Sequence, residues 1–280
     1  MAIITLDHAT YGYSRHPVLD NISLSFAPGE VVSLLGPNGS GKTTLLKLLL
    51  GLYSPKQGQV LLEGRPVSTI APKQLARRIA YVPQIHQISF GYRVLDVVMM
   101  GRLPHKPFFF RYSEADKRAA LLALERLSIS HLKDRAYTAV SGGERQLILI
   151  ARALVQEADI FIMDEPVNGL DYGNQIRLLG RIADLARSGY TFIKSTHFPD
   201  HALWISDRVV MLKAGRVVAD GPTADTITRT NLYRIYSTPV DVIGLDGGGR
   251  ICIPEALRTF GGRRVHAKEN AICSLSRVAG

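Results

Sequence analysis

The run Gly36-Pro37-Asn38-Gly39-Ser40-Gly41-Lys42-Thr43 has the spacing G-x-x-x-x-G-K-[ST], which can hold a polyphosphate. Its glycines let backbone N–H groups turn toward an anion. A helix starting at the loop would add partial positive charge from its dipole. Lys42 has the reach to meet β- and γ-phosphates, and the Thr43 hydroxyl suits a Mg²⁺ ion. A Gly-rich hairpin would leave the adjacent Lys42-Thr43 pair without a purpose.

Four more places could do chemistry beside such a loop. Ile160-Phe161-Ile162-Met163 runs into Asp164-Glu165. A carboxylate at the end of a buried strand, Asp164, can hold Mg²⁺, and Glu165 can polarise an attacking water. Alone, the pair also fits an acidic turn. Ser141-Gly142-Gly143-Glu144-Arg145-Gln146 reads as a helix start, with Ser141 as cap and two glycines exposing N–H groups. That is a second anion site. One chain needs one γ-phosphate site, so a second suggests that two chains share each nucleotide. Gln84 follows a strand stopped by Pro83, and its amide could ligate Mg²⁺ or water. His197 follows a strand ending near Ile193 and could hydrogen-bond a γ-phosphate.

The elements that must position these groups alternate. Val31–Leu35 reads as a buried strand before the loop, and Thr44–Leu50 as the helix after it. Residues 3–35 read as strands broken by turns, the first alternating like an edge strand. Residues 58–62 and 79–83 are further strands, and 72–79 a short basic helix. Ser113 followed by Glu114 and Asp116 marks a helix start, with Ala120, Leu124 and Leu127 as its apolar face. After residue 141 helix and strand alternate: helices at 143–156, 174–188 and 199–206, strands at 160–163, 190–193 and 208–219. That order argues for a mostly parallel sheet with helices on its faces, interrupted by a helical insertion over about 94–140. Val240–Ile243, Gly247-Gly248-Gly249 and Arg250–Ile253 read as a β-hairpin with a glycine turn. The expected division is 1–235 for the main domain and 236–280 for a small β-rich appendage, for which packing is the simplest role. Phe108-Phe109-Phe110 cannot all face one core, so either the loop packs locally or a partner covers part of it.

Composition narrows the class. A hydrophobic share of 46% over 280 residues is ample for a buried core. No apolar run reaches the roughly 18 residues that would span a bilayer, and the N-terminus does not read as a secretory signal. Two cysteines, Cys252 and Cys273, make no metal-ligand spacing, so free thiols in a cytosolic chain are expected. The net charge is +10, but the basic residues are dispersed rather than striped. Nucleic acid is therefore not expected as a partner, and an anionic membrane face is the better candidate.

These features stand in the order in which the ATP-binding cassette (ABC) ATPases carry theirs, and over about residues 1–225 the chain resembles that family. Gly36 to Thr43 matches the Walker A loop, Gln84 the Q-loop and Ser141 to Glu144 the signature. Ile160 to Glu165 matches the Walker B strand, Asn168-Gly169-Leu170-Asp171 the D-loop, and His197 the switch histidine. The resemblance implies an α/β P-loop NTPase of ABC type: a mostly parallel core sheet, an N-terminal antiparallel β subdomain, a helical insertion and a small C-terminal β appendage. It implies ATP and Mg²⁺, and a head-to-tail dimer of two copies with ATP between them. Lys42, Thr43, Gln84, Asp164, Glu165 and His197 would act from one chain, and Ser141 with Gly143 from the other; Thr44, Gly142, Glu144 and Asp171 would also belong to the nucleotide site. Tyr13, with Tyr11 as the fallback, would stack on adenine.

There are departures. Glu144 stands where Gln is commoner, Val167 replaces the usual Ser or Thr, and Asn168-Gly169 replaces the usual Ser-Ala or Ser-Asn. No catalytic carboxylate is missing, so hydrolysis is expected. Val94–His105, Asp134–Thr138 and Ser141–Leu147 look like the ATPase subunits of bacterial importers for metal chelates: iron siderophores, haem, vitamin B12 and molybdate. That resemblance implies integral membrane permease subunits as partners and, indirectly, a periplasmic or lipoprotein substrate-binding protein. It places the chain peripherally on the cytoplasmic face of the plasma membrane. A groove lined by residues 84–105 would receive a permease helix. An exporter ATPase, or a non-transport ABC ATPase acting on nucleic acid or ribosomes, are the alternatives.

Overall fold

The structure, a computed structural model, describes residues 2–14, 16–84 and 91–258. Cys273 lies outside them. In chain order the elements begin with β1 (Ile4–Tyr11), β2 (Leu19–Phe26), β3 (Val31–Leu35), α1 (Lys42–Leu49), β4 (Gln57–Leu62), β5 (Arg65–Pro66), α2 (Pro72–Leu75) and β6 (Ile79–Val82). The middle carries α3 (Val94–Met99), α4 (Glu114–Arg126) and α5 (Gly142–Val155). Then come β7 (Ile160–Met163), α6 (Tyr172–Arg187), β8 (Thr191–Thr196), α7 (Pro199–Ile205), β9 (Arg208–Lys213) and β10 (Arg216–Pro222). The described chain closes with α8 (Thr223–Thr226), α9 (Arg229–Tyr236), β11 (Val240–Gly244) and β12 (Arg250–Pro254).

Six strands form the central sheet in the order β10-β9-β3-β8-β7-β6. All neighbours in it are parallel except the β9–β10 edge pair. Its central strands are buried on both faces, as continuous apolar runs should be in a parallel sheet. The N-terminal strands form a separate antiparallel sheet, β2-β1-β4-β5. In β2 the buried residues Leu19, Ile22, Leu24 and Phe26 point to one side, so this sheet lays a single face on the core. One correction concerns β1. It pairs with β2 on one side and β4 on the other, and is therefore interior rather than an edge. Alternation reports which face is wet, and says nothing about the number of partners.

One core lies between the two sheets and α1, with Leu6, Phe26, Leu34, Leu45 and Ile162 among its members. A second lies on the opposite face of the central sheet. There α3, α4, α5 and α6 bury Val97, Leu124, Ile148 and Leu178 against Phe161 and Phe192. The expected face of α4 is the buried one, with Ala120, Leu124 and Leu127 all inside. The helix starts with a capping box between Ser113 and Asp116. Asp116 is almost fully buried and also meets Arg102 and Lys106. Burial pushes its pKa up, but hydrogen bonds from Lys106 and Ser113 more than offset this and hold the carboxyl well below its usual range. The ends of the insertion are tied together, Val94 N–H donating to Arg135 O at 2.9 Å and Leu95 N–H to Lys133 O at 3.0 Å.

Two further elements differ from expectation. The helix expected over 72–79 is only the four residues of α2, after which Arg78 turns to pair with Glu63 and Asp159. Helices α8 and α9, which sequence patterning does not pick out, join the sheet to the hairpin β11–β12. The hairpin forms as expected, with Val242 opposite Cys252 and Gly247 and Gly248 at positive φ in its turn. Phe108 and Phe109 pack edge to face on each other and are otherwise in solvent, 90% and 89% exposed.

Candidate functional site

Parallel strands bring their C-terminal ends to one side of the sheet, and the loops after β3, β6, β7 and β8 carry the candidate residues there. The glycine loop leaves β3 beside β9. A Cβ on Gly36 would lie 2.2 Å from the Leu212 carbonyl, so only glycine fits. Gly41 caps α1 with φ near 103°, in the left-handed region. The loop is tied from outside as well, Gly215 N–H donating to Ser40 O at 3.1 Å.

Lys42 is buried at the head of α1. Its ammonium donates to Gly36 O at 2.8 Å and to Pro37 O at 3.0 Å. It lies 3.9 Å from Glu165 Oε1. Burial pulls its pKa down, opposed by the charges of Glu165 and Asp164.

Glu165 is the hub. Its carboxylate accepts from Asn168 Nδ2 at 3.2 Å and from Gln84 Nε2 at 3.4 Å, and His197 Nδ1 lies 3.3 Å from Oε1. Its φ is +43°, a left-handed conformation that a glutamate rarely takes. Asp164 beside it is buried and accepts the Ser195 hydroxyl at 2.6 Å. The same Ser195 oxygen accepts the Glu165 N–H at 2.8 Å. Ser195 is not picked out by the sequence, and Asn168 enters there only as a member of the D-loop, without a role at the site. Ser195 carried no distinct signal, because Thr191, Lys194 and Thr196 of the same strand are polar and buried as well.

Asn38, Lys42, Thr43, Gln84, Glu165, Asn168 and His197 line one cavity of about 400 Å³, together with Gly39, Ser40, Gly41 and Thr44. The Ser40 hydroxyl is buried and has no partner among the described residues. The Thr43 hydroxyl, the Asp164 carboxylate and the amide oxygen of Gln84 are hard oxygen donors. That donor set fits a small divalent cation such as magnesium.

Tyr13 stands at the rim, exposed, with its hydroxyl 3.3 Å from Thr44 Oγ1 and its ring edge-on to Tyr11 and Tyr53. Tyr11 is stacked flat on Tyr53. Its ring is therefore already engaged, and Tyr13 is the freer of the two.

Ser141, Gly142, Gly143, Glu144 and Asp171 do not line the cavity. Ser141 caps α5, and Glu144 returns to the Ser141 N–H at 2.7 Å. That backbone bond holds the Glu144 carboxyl below its usual pKa. Ser141 and Gly142 are exposed, while Gly143 is packed so closely on Asn174 that a Cβ would lie 2.8 Å from it. Asp171 caps α6 by accepting the Asn174 N–H at 2.8 Å. Gln146, one turn into α5, donates to Gln84 O at 3.2 Å, which links this helix to the cavity.

A larger groove of about 820 Å³ separates the sheet body from the helical insertion. Met100, Gly101, Leu103 and Pro104 form one wall, the part of the expected 84–105 lining that borders it; residues 91–99 do not line it, and 85–90 lie outside the described residues. Leu50, Val67, Ile70, Leu75 and Tyr81 form the other. Gln84 faces the smaller cavity instead. Among the described residues no helix is long and apolar enough to cross a membrane.

The family described as "ABC transporter" matches residues 19–168. The chain is 40% identical over 228 residues to the hemin import ATP-binding protein HmuV of Nocardia farcinica, covering 81% of this chain and 78% of that one. It is 35% identical over 231 residues to the ferric enterobactin transport ATP-binding protein FepC of Escherichia coli K12, covering 82% and 85%. A putative metal-chelate type ABC transporter, solved in an inward-facing conformation, superposes with a TM-score of 0.80 at 31% identity, over 90% of this chain and 97% of that one.

Proposed function

The chain belongs to the ABC transporter family, and from that premise we propose that it is the ATP-hydrolysing subunit of a membrane importer for a metal chelate. The cargo class is iron siderophore, haem, cobalamin or molybdate. One observation carries the reading: Glu165, at the end of β7, is met by Lys42, Gln84, Asn168 and His197 across the cavity behind the glycine loop. Relatives named for hemin import and ferric enterobactin transport favour import over the export alternative.

In this reading the triphosphate lies along Gly36–Thr43, with its charge met by the Lys42 ammonium and the backbone N–H groups at the start of α1. Tyr13 stacks on the base. Thr43, Asp164 and Gln84 would hold Mg²⁺, which would screen the phosphate charge. Glu165 takes the proton of the attacking water, and His197 steadies the carboxylate and the γ-phosphate. The N-terminus of α5, with Ser141 and Gly142 exposed and Gly143 behind them, serves the nucleotide of a second copy arranged head to tail. Asp171 holds α6 at the same face. Residues 1–235 form the ATPase unit and 236–280 the appendage.

The wider groove receives a helix of the permease subunits, which places the chain peripherally at the membrane. ATP closes the dimer, the grooves move with it, and hydrolysis resets them. The test is uptake of labelled iron–siderophore, haem, cobalamin and molybdate in cells lacking the chain, complemented with wild type or Glu165→Gln. Loss of one uptake, restored only by wild type, supports the reading and names the cargo. If all four uptakes are unchanged, import is the wrong reading.

A further inference from the structure

The segment after the sheet reaches the cavity through one side chain. Tyr236, the last residue of α9, donates its hydroxyl to His197 O at 2.9 Å. His197 lies in the short link between β8 and α7, where the Phe198 N–H donates to Thr196 Oγ1 at 3.1 Å. The link is therefore held on both sides. The imidazole approaches Glu165 on the cavity side, and the main chain accepts a phenol from behind.

The phenol is itself fixed. Leu232 and Ile235 anchor α9 in a core with Leu35, Val209 and Met211, and Val240, Val242 and Cys252 of the hairpin pack with the Tyr236 ring on that core. Lys213 closes the end of α9 by donating to Arg234 O at 2.6 Å. The hairpin is bound to the same region, since Cys252 N–H donates to Asp200 Oδ1 at 2.8 Å in the first turn of α7. Arg229 on α9 also pairs with Asp241 and Glu255, on either side of the turn. Burial, with Cys252 beside it, pushes the Tyr236 phenol above its usual range, so it stays a donor.

We propose that Tyr236 is a positioning residue for hydrolysis, acting through His197. Its hydroxyl fixes the main chain so that the imidazole keeps its approach to Glu165, and the hairpin β11–β12 is the brace that keeps Tyr236 in place. This rests on the reading that His197 acts at the ATP site.

The test uses the full-length chain and steady-state ATP hydrolysis by Tyr236→Phe, His197→Ala and the double variant. Tyr236→Phe lowers kcat by about fivefold or more while the KM for ATP moves little, as expected when geometry at the reacting centre is lost and ground-state binding is not. In the His197→Ala background the same substitution leaves the residual rate nearly unchanged, because the two act in series. Amide exchange over residues 196–200 quickens in Tyr236→Phe and that over 160–163 does not. An unchanged kcat, an equal loss in both backgrounds, or unchanged exchange overturns the proposal. If Tyr236→Phe does not fold, Val242→Ala loosens the cover of the ring and is read in the same way. Should His197→Ala hydrolyse ATP at the wild-type rate, the reading of the site fails first and this inference falls with it. A slow His197→Ala beside a normal Tyr236→Phe removes this inference alone.

Discussion

The Ser195 hydroxyl donates to the Asp164 carboxylate at 2.6 Å, from the strand beside the one that Asp164 follows. The same oxygen takes the Glu165 N–H, so one small side chain orients two consecutive carboxylates. Ser195→Ala leaves a buried carboxylate and a backbone N–H short of partners. The expected loss of stability is about 1–3 kcal/mol. Urea midpoints measure it. Full retention of stability would show that Ser195 is not what orders the strand end.

Glu165→Gln keeps the size of the side chain and removes its basicity. Hydrolysis should fall by on the order of 10²–10⁴ while ATP still binds. In the proposed head-to-tail arrangement, ATP then traps the dimer, which sizing chromatography with and without nucleotide reveals. Near-normal turnover would remove Glu165 from its role.

Lys42→Met tests the loop. The substitution removes charged hydrogen bonds to Gly36 and Pro37, and the positive charge facing Glu165. Hydrogen bonds to charged groups contribute about 1.5–3 kcal/mol each, so ATP affinity should drop by on the order of 10–100-fold. Titration with a fluorescent ATP analogue reads it, and an unchanged Kd would place the phosphates elsewhere.

Lys194 gives a prediction in pH. It is buried in β8 between Ser33 and Met163, near His201. Burial pulls its pKa down to about 7. An unfolded lysine titrates near 10.4. Between these values the unfolded chain holds one more proton, so stability climbs with pH by about 1.4 kcal/mol per unit. The climb stops above about 10.4, and below 7 the full cost of charging the buried amine is present. Lys194→Met should therefore stabilise the chain most at and below neutral pH and abolish the climb. Denaturation midpoints at two pH values for both proteins decide it. Parallel slopes would mean that another group titrates there.

Much of the site was legible because several of its residues follow the ends of strands. Gly36, Gln84 and Asp164 follow the apolar strands β3, β6 and β7, His197 follows β8, and a parallel sheet brings these strand ends together. What escaped depends on partners distant in the chain. Ser195 matters only because β8 lies beside β7. The interior place of β1 required β4, which follows some fifty residues later. Tyr236 meets His197 across 39 residues, through helices whose short patterns gave no warning. Local patterning shows where a strand stops, and pairing decides what lies next to it.

The backbone at Glu165 bears on how this chain could change. A left-handed glutamate costs of order 1–3 kcal/mol that the surrounding fold must absorb. Glycine or asparagine at the same position would release that strain. A directed-evolution experiment selecting for heat resistance alone would therefore be drawn to residue 165, and its winners would be sturdier proteins that no longer turn over. Retention of glutamate there, against the pull of stability, would mark a lineage still under selection for work.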